Sequence, residues 1–163
     1  MNRGFRGLAL TLVGALCLVA VIAPAAAKGK SAFVGNWQFD AAKSTFTGRP
    51  GYASAKLAVT AIKGGYKVVA DLVGADGKAI HSAYSGPYDG SSLAVSGSPM
   101  FDSVSVLEPD RNSVVRTERR GGTVVGTTMA TVEKNGKSFT SNGRGTMPDG
   151  HQYTYTSVWN RVK

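Results

Sequence analysis

The residues in this sequence best suited to chemistry are an arginine and several tyrosines in segments where polar and apolar residues alternate. Arg116 lies two residues before Glu118. Tyr153 and Tyr155 are also two apart, and Tyr84 falls in another alternating segment. Residues two apart share one face of a strand. An arginine facing a dry interior needs a counter-anion and can orient the carboxylate of a bound molecule, so these residues predict a binding site.

The same charged segment has a second interpretation. Arg116, Glu118 and Arg120 alternate along one face of the segment. Three charged side chains in a row also form a solvated stripe on the outside of a protein. The choice between the two interpretations depends on which face of the strand is the inner one.

The remaining reactive residue types form no cluster along the chain. His81 and His151 are far apart, without a recognisable serine or aspartate constellation, and most acidic residues fall in or beside turns, where they cap backbone groups. The single cysteine, Cys17, lies in an apolar N-terminal segment. We therefore predict a protein that is not an enzyme, with no catalytic residue, metal site or cofactor. A haem held by one imidazole is an alternative if His81 faces inward.

Residues 1–27 have the organisation of a secretory signal peptide. Arg3 and Arg6 precede an apolar run of 15 residues at 8–22, which is shorter than the roughly 20 residues of a membrane-spanning helix. Small residues at Ala25 and Ala27 favour cleavage before Lys28. We therefore expect an exported protein, periplasmic or secreted.

A lipoprotein modified at Cys17 is the alternative, although Leu16 before it is not the small residue that such a site needs. Loss of Arg3 and Arg6 lowers the formal net charge from +9 to +7. The basic residues are scattered, with Arg119 and Arg120 as the longest cluster. We interpret this as solubility charge that permits loose contact with an anionic envelope surface. We expect a monomer without a nucleic-acid partner.

From residue 28 onward, period-two alternation recurs between Gly, Asn, Asp and Pro residues, and no segment has helical spacing over three turns. Ten strands are predicted: 33–39, 54–62, 66–73, 78–85, 91–95, 102–107, 113–120, 123–133, 137–143 and 152–162. A single helical turn at 40–44 and a loop at 48–51 are the candidate lid.

Short strands joined by tight turns predict antiparallel neighbours, and closure into a barrel removes the exposed sheet edges. A sandwich is disfavoured because long crossover connections are missing. Tyr153, Tyr155 and Trp159 share one face of the last strand, where they can meet Trp37 if the first and last strands pair. The sequence therefore predicts one all-β domain at 28–163, an antiparallel up-and-down barrel of about eight to ten strands plugged by Trp37.

The side chains that the alternation places inside this barrel are mostly small, which favours a cavity over a solid core. They are Val68, Ala70, Leu72, Ile80, Ser82, Val104, Val106, Val125, Thr127 and Met129. Adding the large polar and aromatic candidates, the predicted ligand-binding residues are Tyr84, Arg116, Met129, Tyr153, Tyr155 and Trp159.

Gly35, Asn36 and Trp37, together with Arg161 near the end of the last strand, resemble the Gly-x-Trp motif and late arginine of lipocalins and fatty-acid-binding proteins, the calycin-type barrels. The segments 35–44 and 84–90 are similar to secreted bacterial proteins described as lipocalin-like. The resemblance implies a barrel closed by Gly35, Trp37 and Arg161 that holds a small apolar or amphipathic molecule without transforming it. The alternatives are a basic surface module for anionic envelope components or polyanions, and an enzyme acting on a hydrophobic substrate.

Overall fold

The computed structural model describes residues 30–163, and the predicted signal peptide and Cys17 lie outside them. The described chain consists of ten strands and contains no helix. It accordingly has no helix long and apolar enough to span a membrane. The strands are β1 (Gly35–Thr47), β2 (Tyr52–Ile62), β3 (Gly65–Gly74), β4 (Ala79–Gly86), β5 (Asp89–Ala94), β6 (Ser103–Asp110), β7 (Ser113–Arg120), β8 (Thr123–Val132), β9 (Ser138–Thr146) and β10 (Gln152–Val162).

All ten strands lie in one antiparallel sheet in the order β4-β3-β2-β1-β10-β9-β8-β7-β6-β5. The predicted all-β, up-and-down barrel is therefore confirmed. The first and last strands pair, with Trp37 opposite Arg161 and Phe39 opposite Trp159. At the remaining gap, the described residues form only an isolated bridge from Ala83 on β4 to Ser96, which follows the end of β5, so the barrel is nearly closed rather than fully closed.

Turn chemistry explains how the strands are joined. The β8–β9 connection contains Asn135 and Gly136, and Gly136 has a φ of 67°, in the region that glycine adopts without strain. The side-chain oxygen of Asn135 accepts a hydrogen bond from the backbone N–H of Lys137 at 2.8 Å. This local bond reverses the chain and brings β9 back beside β8.

The helical turn predicted at 40–44 is wrong, because β1 begins at Gly35 and continues to Thr47. The pairing of β1 with β10 shifts register between Asp40 and Thr45, which marks a bulge. The hydroxyl of Ser44 donates to the backbone oxygen of Asp40 at 2.7 Å and accepts from the N–H of Val158 at 2.9 Å. Polar residues in the segment predicted as a helical turn therefore satisfy the backbone at a bulge, and no helical lid forms.

One end of the barrel is sealed by a cluster of aromatic rings around Trp37, whose exposed fraction is 1%. The rings of Trp37 and Phe139 meet edge to face with their centroids 4.8 Å apart, and Phe139 stacks on Trp159 at 5.7 Å. The indole Nε1–H of Trp37 donates to the backbone oxygen of Phe33 at 2.7 Å. The indole thus fills the closed end and has its polar atom satisfied.

Arg161 ties the N-terminal segment to this closed end. Its guanidinium lies 4.1 Å from the centroid of the Trp37 ring. It donates to the backbone oxygens of Val34 at 2.8 Å and of Ala32 and Gly136 at 2.7 Å each. Gly35 has a φ of 143°, which side chains rarely adopt, and a side chain there would also overlap Nη1 of Arg161. Gly35, Trp37 and Arg161 are therefore in direct contact where β1 and β10 join.

Candidate ligand-binding cavity

The barrel encloses a cavity of about 780 Å³ above the aromatic cluster. Its floor includes Phe33, Phe139 and Trp159, and most of its lining is apolar. The loops at 48–51, 95–102 and 147–151 all lie at the opposite end of the barrel, and each contributes at least one residue to the lining of the cavity. The cavity therefore opens between these loops, at the end away from Trp37.

Five of the six predicted ligand-binding residues line this cavity. Tyr84 stands on β4, Arg116 on β7, and the three aromatic residues Tyr153, Tyr155 and Trp159 on β10. Trp159 lies at the floor, whereas Tyr153 lies near the mouth because β10 starts there. The structure thus brings together side chains from three strands that are far apart in sequence.

Met129 does not line the cavity. It lies on the outer face of β8 with an exposed fraction of 58%, while its neighbours Thr128 and Ala130 face inward. The inward placement predicted for Val125, Thr127 and Met129 is therefore wrong by one residue. Both faces of β8 mix polar and apolar residues, so the alternation alone did not distinguish them.

Glycines on β8 and β9 explain why the tyrosines fit inside the barrel. A side chain at Gly143 would overlap the ring of Tyr155. At Gly126 or Gly145, a Cβ atom would lie 2.8 or 2.5 Å from the hydroxyl of Tyr153. These three positions leave the inner wall bare, and the two tyrosine rings occupy the space. The Gly-x-Gly spacing at 143 and 145 was the sequence signal for this arrangement.

Arg116 and Glu118 form an ion pair on the inner face of β7. Their side chains are 28% and 6% exposed. The carboxylate oxygen Oε1 of Glu118 accepts from Nε of Arg116 at 3.0 Å and from Nη2 at 2.5 Å. Burial disfavours the charge on Arg116, but the charge and hydrogen bonds of Glu118, together with the oxygens of Tyr155 and Tyr84, outweigh burial and hold the pKa of Arg116 well above its ordinary value. The interpretation of these two residues as an outer stripe is therefore wrong.

Thr128 links this ion pair to the tyrosines. Its hydroxyl lies 2.7 Å from the hydroxyl of Tyr155 and 3.5 Å from Oε1 of Glu118. Burial raises the pKa of Tyr155 above its ordinary value and raises that of Tyr153 to about 12. Both phenols are therefore neutral hydrogen-bonding groups at neutral pH.

These pKa shifts predict how stability depends on alkaline pH. Tyrosine in an unfolded chain titrates near pH 10, whereas Tyr153 in the folded protein titrates at about 12. The folded state favours the neutral phenol. The stabilisation that Tyr153 contributes to folding is therefore fully present below about pH 10 and is lost as the pH rises to about 12. Urea unfolding at a series of pH values should show this decline, and Tyr153→Phe should make it shallower. An equal decline in that variant would contradict the assignment to Tyr153.

Arg49, in the β1–β2 loop, is a cavity residue that the sequence did not single out. Its guanidinium carbon lies 5.2 to 5.6 Å from the ring centroids of four aromatic residues, namely Phe46, Tyr52, Tyr153 and Tyr155. Nη2 donates to the hydroxyl of Tyr52 at 2.6 Å. Within residues 30–163, no carboxylate forms an ion pair with it. A planar cation thus sits at the mouth among aromatic rings, without a matching anion.

The loop that carries Arg49 is held to the β9–β10 loop. The Nε2 atom of His151 lies 2.7 Å from the backbone oxygen of Gly48, and its Nδ1 atom lies 2.6 Å from the carboxylate of Asp149. A side chain at Gly48, whose φ is 73°, would overlap the backbone oxygen of Gln152. These contacts fix the position from which Arg49 reaches over the cavity.

His81 lies on the outer face of β4, where its Nδ1 atom is 2.6 Å from the carboxylate of exposed Asp71. The alternative of a haem bound by an inward-facing His81 is therefore wrong. Across the described part of the chain, no three His, Cys, Asp or Glu side chains are grouped as a metal site would require.

The chain was also compared with known proteins. A scan against protein-family models found none that matches it, and a search of curated proteins found no match. The nearly closed, ten-stranded antiparallel barrel is consistent with a calycin-like fold. The cavity is therefore the feature of this protein that bears most directly on its function.

Proposed function

We propose that this protein is an exported, lipocalin-like carrier that holds one small apolar or amphipathic molecule in its barrel without transforming it. The observation that carries the proposal is the cavity of about 780 Å³ with a mostly apolar lining. Pockets for small molecules commonly measure about 300–1,000 Å³ and combine an apolar lining with a few placed polar groups. The inward ion pair and the tyrosines supply such polar groups here.

Two further features support a lipocalin-like carrier. Contact among Gly35, Trp37 and Arg161 at the closed end matches the arrangement that the sequence resemblance implied. The signal-like residues 1–27 support the proposal that the protein is exported. We propose that it acts as a monomer, either in the periplasm or after secretion. The ligand is the partner in this account, and neither a cofactor nor nucleic acid is required.

A titration with the uncharged fluorophore N-phenyl-1-naphthylamine tests this proposal. The delipidated protein should bind one molecule with increased reporter fluorescence, because the naphthyl and phenyl rings leave water for an apolar cavity. The affinity should hardly change between about 50 and 200 mM salt, since no phosphate-like charge is neutralised on binding.

The same salt series distinguishes the main rival, a basic surface module. Heparin binding to scattered lysines and arginines should weaken steeply over that salt range. Absence of reporter binding, combined with salt-sensitive heparin binding, would replace the carrier by the surface module.

A further inference from the structure

Of the charged side chains that line the cavity, Arg49 has no carboxylate partner in the described part of the chain. Arg49 and Arg116 contribute guanidinium groups, and Glu118 contributes a carboxylate that is already bonded to Arg116. The other lining carboxylate, Asp76, lies at the rim and is paired with Lys78 at 2.9 Å. Among residues 30–163, therefore, no carboxylate balances the positive charge of Arg49 at the mouth of the cavity.

The surroundings of Arg49 favour an anion over a neutral group. Its Nη1 hydrogens have no hydrogen-bond partner among the described residues, whereas Nε and Nη2 are directed to Pro50 and Tyr52. The four neighbouring rings limit the water around the guanidinium, and burial strengthens its attraction for a negative charge. The N–H groups of arginine form charge-assisted hydrogen bonds to anionic oxygens such as those of a carboxylate, sulfonate or phosphate, and the Nη1 hydrogens of Arg49 are available for them.

The polar cluster deeper in the cavity differs from Arg49 because its opposite charges are already paired. Arg116 and Glu118 are mutually neutralised, so the middle of the cavity has no net charge to attract an anion. An anionic group placed there would approach the Glu118 carboxylate and be repelled. The sequence suggested Arg116 as the group that orients a ligand carboxylate, but the ion pair makes Arg116 unsuitable for that role.

We propose that Arg49 forms an anion subsite at the mouth, so that the cavity selects amphipathic molecules with one negatively charged group. This inference rests on the carrier function proposed above. The charged group binds Arg49 at the opening, and the apolar part of the molecule extends towards Trp159 at the floor. The ligand therefore lies with its charge outward and its apolar end buried.

Two fluorophores with the same ring skeleton test this subsite. The anion 8-anilinonaphthalene-1-sulfonate differs from N-phenyl-1-naphthylamine only by its sulfonate. Both should bind the parent protein and displace one another. Arg49→Gln should weaken the sulfonate probe about tenfold, which corresponds to about 1.4 kcal/mol, and should change the affinity of the uncharged probe less than about twofold.

Arg144→Gln is the matched control, because Arg144 is an exposed arginine on β9 between the inward glycines 143 and 145. It changes the net charge equally and should leave both affinities unchanged. Arg49→Lys keeps the positive charge but loses the planar guanidinium, so its affinity for the sulfonate probe should lie between those of the parent and Arg49→Gln.

The outcomes separate the two proposals. If neither probe binds the parent, the carrier function fails and the anion subsite fails with it. If both probes bind but Arg49→Gln leaves the sulfonate affinity unchanged, the carrier stands and the subsite is refuted. Equal weakening of both probes would also refute it, because Arg49 would then act by shaping the mouth rather than by its charge.

Discussion

Replacing Trp37 with alanine is expected to lower the free energy of unfolding by about 3–5 kcal/mol, the usual cost of emptying a buried aromatic site. The indole is 1% exposed, contacts Phe139 edge to face and lies beneath the guanidinium of Arg161. Its removal also leaves the backbone oxygen of Phe33 without its side-chain donor. Domains commonly have a total stability of about 5–15 kcal/mol, so the variant should unfold at low urea or during expression.

Urea unfolding followed by far-ultraviolet circular dichroism measures this loss without relying on the fluorescence of the deleted tryptophan. Val162→Ala is a suitable control, because Val162 is exposed near the end of the same β1–β10 seam. Its cost should stay within about 0.5 kcal/mol. A loss below about 1 kcal/mol for Trp37→Ala would show that the closed end does not depend on the indole.

The sequence was most informative where alternation and turn residues agreed. Ten alternating segments became ten strands, and the Asn135–Gly136 turn joins β8 to β9. Pairing of the first and last strands was predictable because their aromatic faces are complementary, as the contact of Phe39 with Trp159 shows. These features depend on local backbone preference and on period-two burial, which are properties of short segments.

Three details depended on tertiary contacts and could not be read from local pattern. The Asp40–Ser44 segment has the residues of a helix cap, yet pairing with β10 keeps it extended. The inner face of β8 is set by the tyrosines of β10, which need glycine or small residues beneath them. Arg49 lies in a loop, where no alternation indicates the direction of a side chain, and only the fold places it beside Tyr153 and Tyr155.

The outward position of Met129 provides a sharp pair of variants for the cavity. Ala70 lines the cavity from the middle of β3, opposite Leu57 on one side and Ser82 on the other. A tryptophan at this position adds its indole to space that a ligand would otherwise occupy. The same residue at position 129 projects from the outer face of β8.

The affinity of N-phenyl-1-naphthylamine for Ala70→Trp, measured beside Met129→Trp, tests the central claim most directly. Ala70→Trp should weaken reporter binding about tenfold or more, because the added indole occupies space inside the cavity that the reporter would otherwise fill. Met129→Trp should bind as the parent does, and both variants should keep the parent's circular dichroism spectrum. If folded Ala70→Trp binds the reporter as tightly as the parent, or if Met129→Trp is the variant that loses it, the molecule does not bind inside the barrel and the carrier account is contradicted.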